Sequence, residues 1–565
     1  MGGHAVIADQ KEQTEEQNKL VEKIVATFNE LKAERRTFEP IWREITDYIY
    51  PRLSGWDYSV DSDITAGEKI FDGTAIACLT KLSDGIFGWL VSPSIDWLKV
   101  APKDRKDEDN KPFMEYLRDI ELYLYDVFNR SNFYDAASEA INTGCAIGTS
   151  VVYAEEAERL NRPVYTSLHP REVYISENEY QEADVLYRLL EMTARQCVAT
   201  FGDKMGKKFT EDAHKKPEEK VRILHAIFPR GTFGIISDQK PFASVYLLMG
   251  SGRNIGSGTH AVLIDEGGLD FQHFEAWRFR RSSGQTYGTC PSMDSIYDVK
   301  TMNLMAKTLL DAAQLAARPP MYGPESLRGN SRIRPGSFTY GPMGAKPEPI
   351  ISTMSYPIGM DAYERRAAIV REHFKTDYFQ SISQIQQSSR DRTATEIMEI
   401  KAESAAVLGS VIGRIQSEFL EPLVRLTLLI EKNAGRLPKP PAELDPALEF
   451  SFQFVGPLAQ AQRKYIRVNG YMNGLSQATQ LAQMAPDVLM NFDFNHAARE
   501  IAIANGYPHE GLVDKKLVQK AQAQAQQARA QQAQMEAENQ RLAAAGGASR
   551  AAEPGSPASA MMGGS

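Results

Sequence analysis

Residues 291–318, PSMDSIYDVKTMNLMAKTLLDAAQLAAR, read as one helix that is apolar on two sides at once. Ile296, Val299, Asn303, Ala306, Leu310, Ala313 and Ala317 make one stripe at spacings of three and four. Met302, Met305, Leu309, Ala312 and Ala316 make a second on nearly the opposite side, and Lys300, Lys307 and Asp311 leave only a narrow charged strip. A helix apolar on two sides must be covered on two sides. Two arrangements satisfy that demand: a helix in the middle of a large core, or a helix in a ring with a neighbour on each flank.

The chain leaves this helix through residues 319–358, rich in Pro and Gly and carrying Arg328, Arg332 and Arg334. An irregular excursion of that length is a functional loop or a small lobe rather than a simple connection. A second helix is expected over 360–379, with Tyr363, Ala367, Val370, Phe374 and Tyr378 on one face. Then comes QSISQIQQSSRDR, residues 380–392, almost wholly Gln, Ser and Arg, with only Ile382 and Ile385 apolar. Thr393 and Glu396 fit a capping box, in which the hydroxyl takes a backbone N–H and the carboxylate reaches back. From there Ile397, Ile400, Leu408, Val411, Ile415, Phe419, Leu423, Leu426 and Ile430 hold helical spacing. Pro422 lies inside this run; it has no N–H to give and its ring crowds the preceding turn, so a kink is expected there.

Upstream, residues 15–50 read as helix, with Leu20, Ile24, Phe28 and Leu31 at helical spacing, and 75–90 and 113–142 give further helices. From Gly148 to Phe279 the pattern changes to short β-like runs such as TSVVYAE, VRILHAIF and ASVYLLM, interrupted by the helical TARQCVATFGDKM. Downstream, 515–545 is an Ala/Gln-rich helix without a large apolar stripe, and the last twenty residues are expected to be disordered. The fold class is thus α+β, mainly helical.

Candidates for chemistry fail one by one. GDKMGKK at 202–208 has the wrong glycine gap for a phosphate loop and Lys208 where Ser or Thr should hold magnesium. GSGRNIG at 250–256 leads into a strand rather than a helix, so a hairpin turn is the better reading. The nine histidines show no metal-ligand spacing, and no nucleophile elbow is present. The four cysteines are far apart, which suits buried free thiols; Cys290 precedes a helix start, but a structural thiol is expected there. Glu177, Glu179 and Asp184 read as the solvated edge of a polar hairpin. With no apolar run near ~18 residues and no leader-like N-terminus, no membrane role and no export are expected. The net charge of −9 is the wrong sign for tight, general nucleic-acid binding. No catalytic residue, cofactor or metal is expected, and the chain reads as a non-enzyme.

Four stretches in order, HPREVYISENEYQEADVLYRLLEMTARQ from His169, YGTCPSMDSIYDVKTMNLMAKTLLDAAQLAARPP from Tyr287, RDRTATEIMEIKAE from Arg390 and FVGPLAQAQR from Phe454, carry a resemblance. The sequence resembles the head-to-tail connecting (portal) proteins of short-tailed bacteriophages over roughly residues 15–510. Thr289 and Cys290 stand where the resemblance leads one to expect Arg and Ser.

The resemblance implies a homo-oligomeric ring, usually of twelve subunits, at one capsid vertex, with double-stranded DNA passing along its axis. It implies N-terminal helices and a β-rich wing over 1–290, stem helices at 291–318 and 359–379, and a clip at 319–358. A tunnel loop at 380–392, a long kinked helix at 393–432, a mixed wing region at 433–511, a crown or barrel helix at 512–545 and a tail at 546–565 would follow. Gln380, Ser381, Gln384, Gln386, Gln387, Ser388, Ser389, Arg390 and Arg392 would then face the channel, and Arg328, Arg332 and Arg334 would meet docking partners. Ile296, Val299, Met302, Leu309, Leu310, Tyr363, Val370 and Phe374 would form the stem interface between subunits. Implied partners are the terminase large subunit, tail adaptor or nozzle proteins, and the major capsid and scaffolding proteins, in a virion assembled in the host bacterial cytoplasm. An acidic subunit suits a bore that repels phosphate over about a Debye length, ~8–10 Å, and lets a duplex slide. The alternatives are a tail adaptor or tube protein without the packaging role, and a nucleic-acid-processing enzyme, against which the missing phosphate loop argues.

Overall fold

A computed structural model of the chain describes residues 15–53, 69–104, 110–233, 240–249, 261–317, 356–376, 409–441 and 448–455, apart from a few positions within these spans and a few isolated ones outside them. Two compact units, 1–458 and 459–565, divide the chain, and nearly all described residues belong to the first.

The expected first helix is two: α1 (Glu15–Arg35) and α2 (Glu39–Tyr48), broken just before Pro40, which sits in the first turn of α2 where its missing N–H costs nothing. Next come α3 (Thr74–Leu90), the short strand β1 (Leu98–Pro102), α4 (Lys111–Arg130) and α5 (Phe133–Ile147). The side chain of Asn110 accepts from Phe113 N–H and so starts α4; Ser131 and Asn132 divide the helix expected over 113–142. Gly148, at φ +91°, ends α5 in a left-handed cap and turns the chain directly into β2 (Thr149–Ala157).

The β-rich middle continues as β3 (Arg162–Leu168), β4 (Val173–Glu177), β5 (Ala183–Thr193), α6 (Ala194–Phe201), α7 (Lys207–Lys215), β6 (Lys220–Pro229), β7 (Phe242–Met249), β8 (Val262–Leu269) and β9 (Phe274–Arg278). Thr193 and Gln196 form a capping box at α6. All strand pairs among the described residues are antiparallel, and the larger sheets are a five-stranded one ordered β4-β5-β6-β7-β8 and a three-stranded one ordered β3-β2-β9. GDKMGKK is a short 3-10 turn leading into α7, not a phosphate loop. GSGRNIG lies outside the described residues, between β7 and β8, which pair as antiparallel neighbours.

The five-stranded sheet is covered on both faces. Leu20, Val21, Ile24, Phe28 and Leu31 of α1 bury against Tyr187, Leu224, Ala226, Phe228 and Val245. On the other face, Cys197, Phe209 and Ala213 from the α6–α7 insertion pack on Val221, Ile223 and Leu248. Burial on both sides is why VRILHAIF is nearly continuous in apolar residues rather than alternating. Each large side chain so buried contributes roughly 1.5–3 kcal/mol before ordering costs.

The largest core joins α2, α3, α4 and α5, the three-stranded sheet, and the elements that follow: α8 (Pro291–Ala317), α9 (Tyr356–His373) and α10 (Glu421–Asn433). Between α8 and α9, β10 (Met321–Tyr322) pairs antiparallel with β11 (Glu348–Pro349), and α9 begins at Tyr356, inside the span 319–358 expected to be irregular. The strand β12 (Phe450–Phe454) pairs with β1, tying residues about 350 apart in sequence. Before α10 the helix from 409 widens into a π turn, Gln416–Leu420, where Glu421 N–H reaches back to the carbonyl of Gln416. Pro422 cannot bond in the α pattern, and the wider turn absorbs the disruption in place of the expected simple kink. The fold is mixed α and β, mostly helical, with several sheets.

Candidate functional site

α8 and α9 form an antiparallel pair. Arg366 pairs with Asp298 near one end, and Gly359 lies beside Leu309 at the other, where an added Cβ would sit 3.2 Å from the leucine methyl. The half of α8 nearest the body is held from several directions. Lys300 Nζ meets Glu44 of α2 at 2.9 Å. Asn303, the polar member of an apolar stripe, accepts from Phe71 N–H at 2.7 Å and Asp72 N–H at 3.2 Å and donates to Lys69 C=O at 2.8 Å. It satisfies a stretch of backbone ahead of α3, and Tyr363 of α9 bonds Asp72 from the other side.

The root of α8 is close-packed. An added Cβ at Gly288 would stand 2.4 Å from Gly148 C=O and 2.9 Å from Arg280 C=O, and one at Gly144 would fall 2.2 Å from the Trp277 ring. Cys290 is buried and donates to Ala146 C=O; burial pushes its thiol up to about 12, so the helix dipole does not activate it.

Beside this root lies a charged hub. Arg278 is 2% exposed and pairs with Glu177 of the β4–β5 hairpin and with Glu418, which the π turn presents. Glu177 also takes Arg281 at 3.2 Å. Burial pulls the Arg278 guanidinium down and Glu418 opposes that pull. Glu177 is therefore not the solvated edge its sequence context suggested, because β9 and the helix close over that end of the hairpin. Asp184 is partly desolvated too, its carboxyl raised by burial and by Glu182, whereas Glu179 remains at the exposed hairpin tip.

The residues expected at a subunit interface divide. Ile296, Val299, Met302, Val370 and Phe374 are buried by the chain's own core, so their apolar surface is already covered without a second subunit. Leu309 and Tyr363 are half-buried. Leu310 is 49% exposed, and it has company that the stripe count passed over: Tyr297, Leu304 and Ile369 are 71%, 63% and 41% exposed. Thr301 and Thr308 turn their hydroxyls back to the carbonyls of Tyr297 and Leu304, which leaves methyl groups on that flank. The two arrangements open at the sequence level thus divide by face: α8 is a core helix where Ile296, Val299 and Met302 point, and it has an uncovered face where Tyr297 and Leu304 point.

Gln380, Ser381, Gln384, Gln386, Gln387, Ser388, Ser389, Arg390 and Arg392, like Arg328, Arg332 and Arg334, lie outside the described residues, as does the Thr393/Glu396 capping box. No helix among the described residues is long and apolar enough to cross a membrane. Among the described residues no group of three or more His, Cys, Asp or Glu is placed to hold a metal ion.

A family model described as "Bacteriophage head to tail connecting protein" matches residues 21–513. The chain is 28% identical over 515 residues to the portal protein of Salmonella phage epsilon15, covering 88% of this chain and 90% of that protein. It is 27% identical over 558 residues to the probable portal protein of Bordetella phage BPP-1, covering 94% and 95%.

Proposed function

The chain belongs to the family of bacteriophage head to tail connecting proteins and so has a general portal or connector role, and we propose that it carries out this role as a ring that conducts double-stranded DNA. The observation that supports the ring most directly is the uncovered flank of the α8–α9 pair. Tyr297 and Leu304 on one face of α8, Leu310 on another and Ile369 of α9 are large apolar side chains left in water. Adjacent copies packed side by side would cover them, and repetition of such a head-to-tail contact closes into a ring. The subunit contact in the stem is then made by these four with Leu309, while Ile296, Val299, Met302, Val370 and Phe374 hold the helices to their own subunit.

In that ring α8 and α9 are the stem, the excursion between them the clip and 380–392 the loop facing the bore. The Gln and Ser side chains there exchange hydrogen bonds with phosphate or water without strong net charge, and Arg390 and Arg392 add local attraction. Arg328, Arg332 and Arg334 in the clip would dock the terminase large subunit during packaging and tail adaptor or nozzle proteins afterwards. Capsid and scaffolding proteins would surround the wing, in a virion assembled in the bacterial host. Twelve copies is the expected number.

Electron microscopy and native mass spectrometry of the purified full-length protein test this reading. A closed ring with a central hole is expected; a stable monomer at micromolar concentration would overturn it.

A further inference from the structure

A groove of about 820 Å³ opens where the β4–β5 hairpin, β9 and the π turn with α10 meet. Phe242, Phe271, Leu426 and Leu429 give it an apolar floor, and Tyr180, 74% exposed, stands at its mouth. We propose that this groove docks a cationic peptide segment of another protein, one presenting an arginine or lysine beside an apolar side chain, with the Glu275 carboxylate as the acceptor. The proposal does not depend on the ring or on DNA conduction.

Charge decides the class of occupant. Glu182, Asp184, Glu275, Glu418 and Glu421 all line the groove. The arginines there are engaged: Arg278 by Glu177 and Glu418, Arg281 by Glu177, and Arg425 by Glu421 at 3.2 Å. Glu275 is half-buried and lines the groove, and among the described residues no hydrogen bond or ion pair ties its carboxyl down. Its charged neighbours are Glu182, which disfavours ionisation, and the more weakly acting Arg425. Burial first and Glu182 second push it up to about 8, so at neutral pH it is mostly protonated. A wall that holds a carboxylic acid neutral for want of a cation accepts a guanidinium or ammonium, and the proton leaves as the cation enters. Phosphates would meet like charge here, which rules against nucleic acid. The apolar floor favours a side chain next to the cation over a bare ion.

The probe is a fluorescein-labelled Arg-Leu-Arg-Leu-Arg peptide titrated into the full-length protein, with a Glu-Leu counterpart as control. We expect saturable binding of the basic peptide alone, on the order of tenfold tighter at pH 8 than at pH 6.5. Calorimetry in two buffers of different ionisation enthalpy should show about one proton released per peptide near neutral pH. Glu275→Gln mimics the neutral acid already present, so it should fold normally yet lose the pH dependence and the proton release. Glu182→Gln should move the pH midpoint downward, and Glu218→Gln, on the exposed turn after α7, should change nothing. Binding by Glu275→Gln with unchanged pH dependence, failure of the basic peptide to bind, or a groove already filled by a second copy of the chain would each overturn the proposal.

Discussion

At the scale of the residue, the root of α8 is the least tolerant point described. Gly288 faces backbone carbonyls of Gly148 and Arg280 that cannot swing aside as a side chain could. Gly288→Ala should therefore lower the denaturant midpoint by an amount corresponding to ~1–3 kcal/mol or more, whereas Gly409→Ala, with open space around its Cβ position, should not. His225 offers a second test. It is 2% exposed, lies 2.9 Å from Ser244 Oγ and stacks on Tyr246, and burial with Arg188 nearby holds its pKa down to about 3. The unfolded chain takes up that proton near pH 6.5 and the folded chain only near 3. Stability from this site is thus fully present above pH 6.5 and falls by up to about 1.4 kcal/mol per pH unit as pH drops toward 3. Thermal unfolding of His225→Gln should show a shallower acid limb; an unchanged slope would refute the assignment.

At the scale of the element, the π turn ahead of Pro422 has a packing consequence. One residue of helical phase is about 100° of rotation, enough to decide whether Glu418 meets Arg278 or solvent. Pro422→Ala restores an N–H that allows a regular helix, and Glu418 should then swing off Arg278, visible in a structure of the variant. Arg278→Ala leaves Glu177 and Glu418 facing each other's charge in a partly closed site and should cost ~3 kcal/mol or more in chemical denaturation. The spacing of Phe419, Leu423, Leu426 and Ile430 revealed that a helix was present, and Pro422 revealed that it was disturbed. The form of the disturbance was not legible, because a kink and a widened turn satisfy the same missing bond and only the partner of Glu418 selects between them.

At the scale of the whole molecule, the uncovered flank separates folding from assembly. Leu304→Asp changes a side chain that is 63% exposed in the single chain and should leave its unfolding midpoint nearly unchanged while abolishing the ring in native mass spectrometry. Met302→Asp places a charge in the core and should prevent folding altogether. If Leu304→Asp still forms rings, the stem contact runs elsewhere. The same contrast marks what the stripe pattern conveyed. Periodicity identified both sides of α8 as apolar but could not say which faces its own chain would cover, since that depends on α2, α3, α5 and α9 arriving from distant parts of the sequence.

The sequence by itself determined the succession of N-terminal helices, β-rich middle and the α8 and α9 helices, the buried free cysteines and the family, because periodicity, proline and glycine placement and motif order are local signals. Tertiary structure alone decided the β1–β12 pairing, the burial of Glu177 on Arg278, the acidic groove around Glu275 and the division of α8 into covered and uncovered faces. Each of these is a contact between segments many residues apart, and its energy depends on desolvation by neighbours that no local pattern encodes.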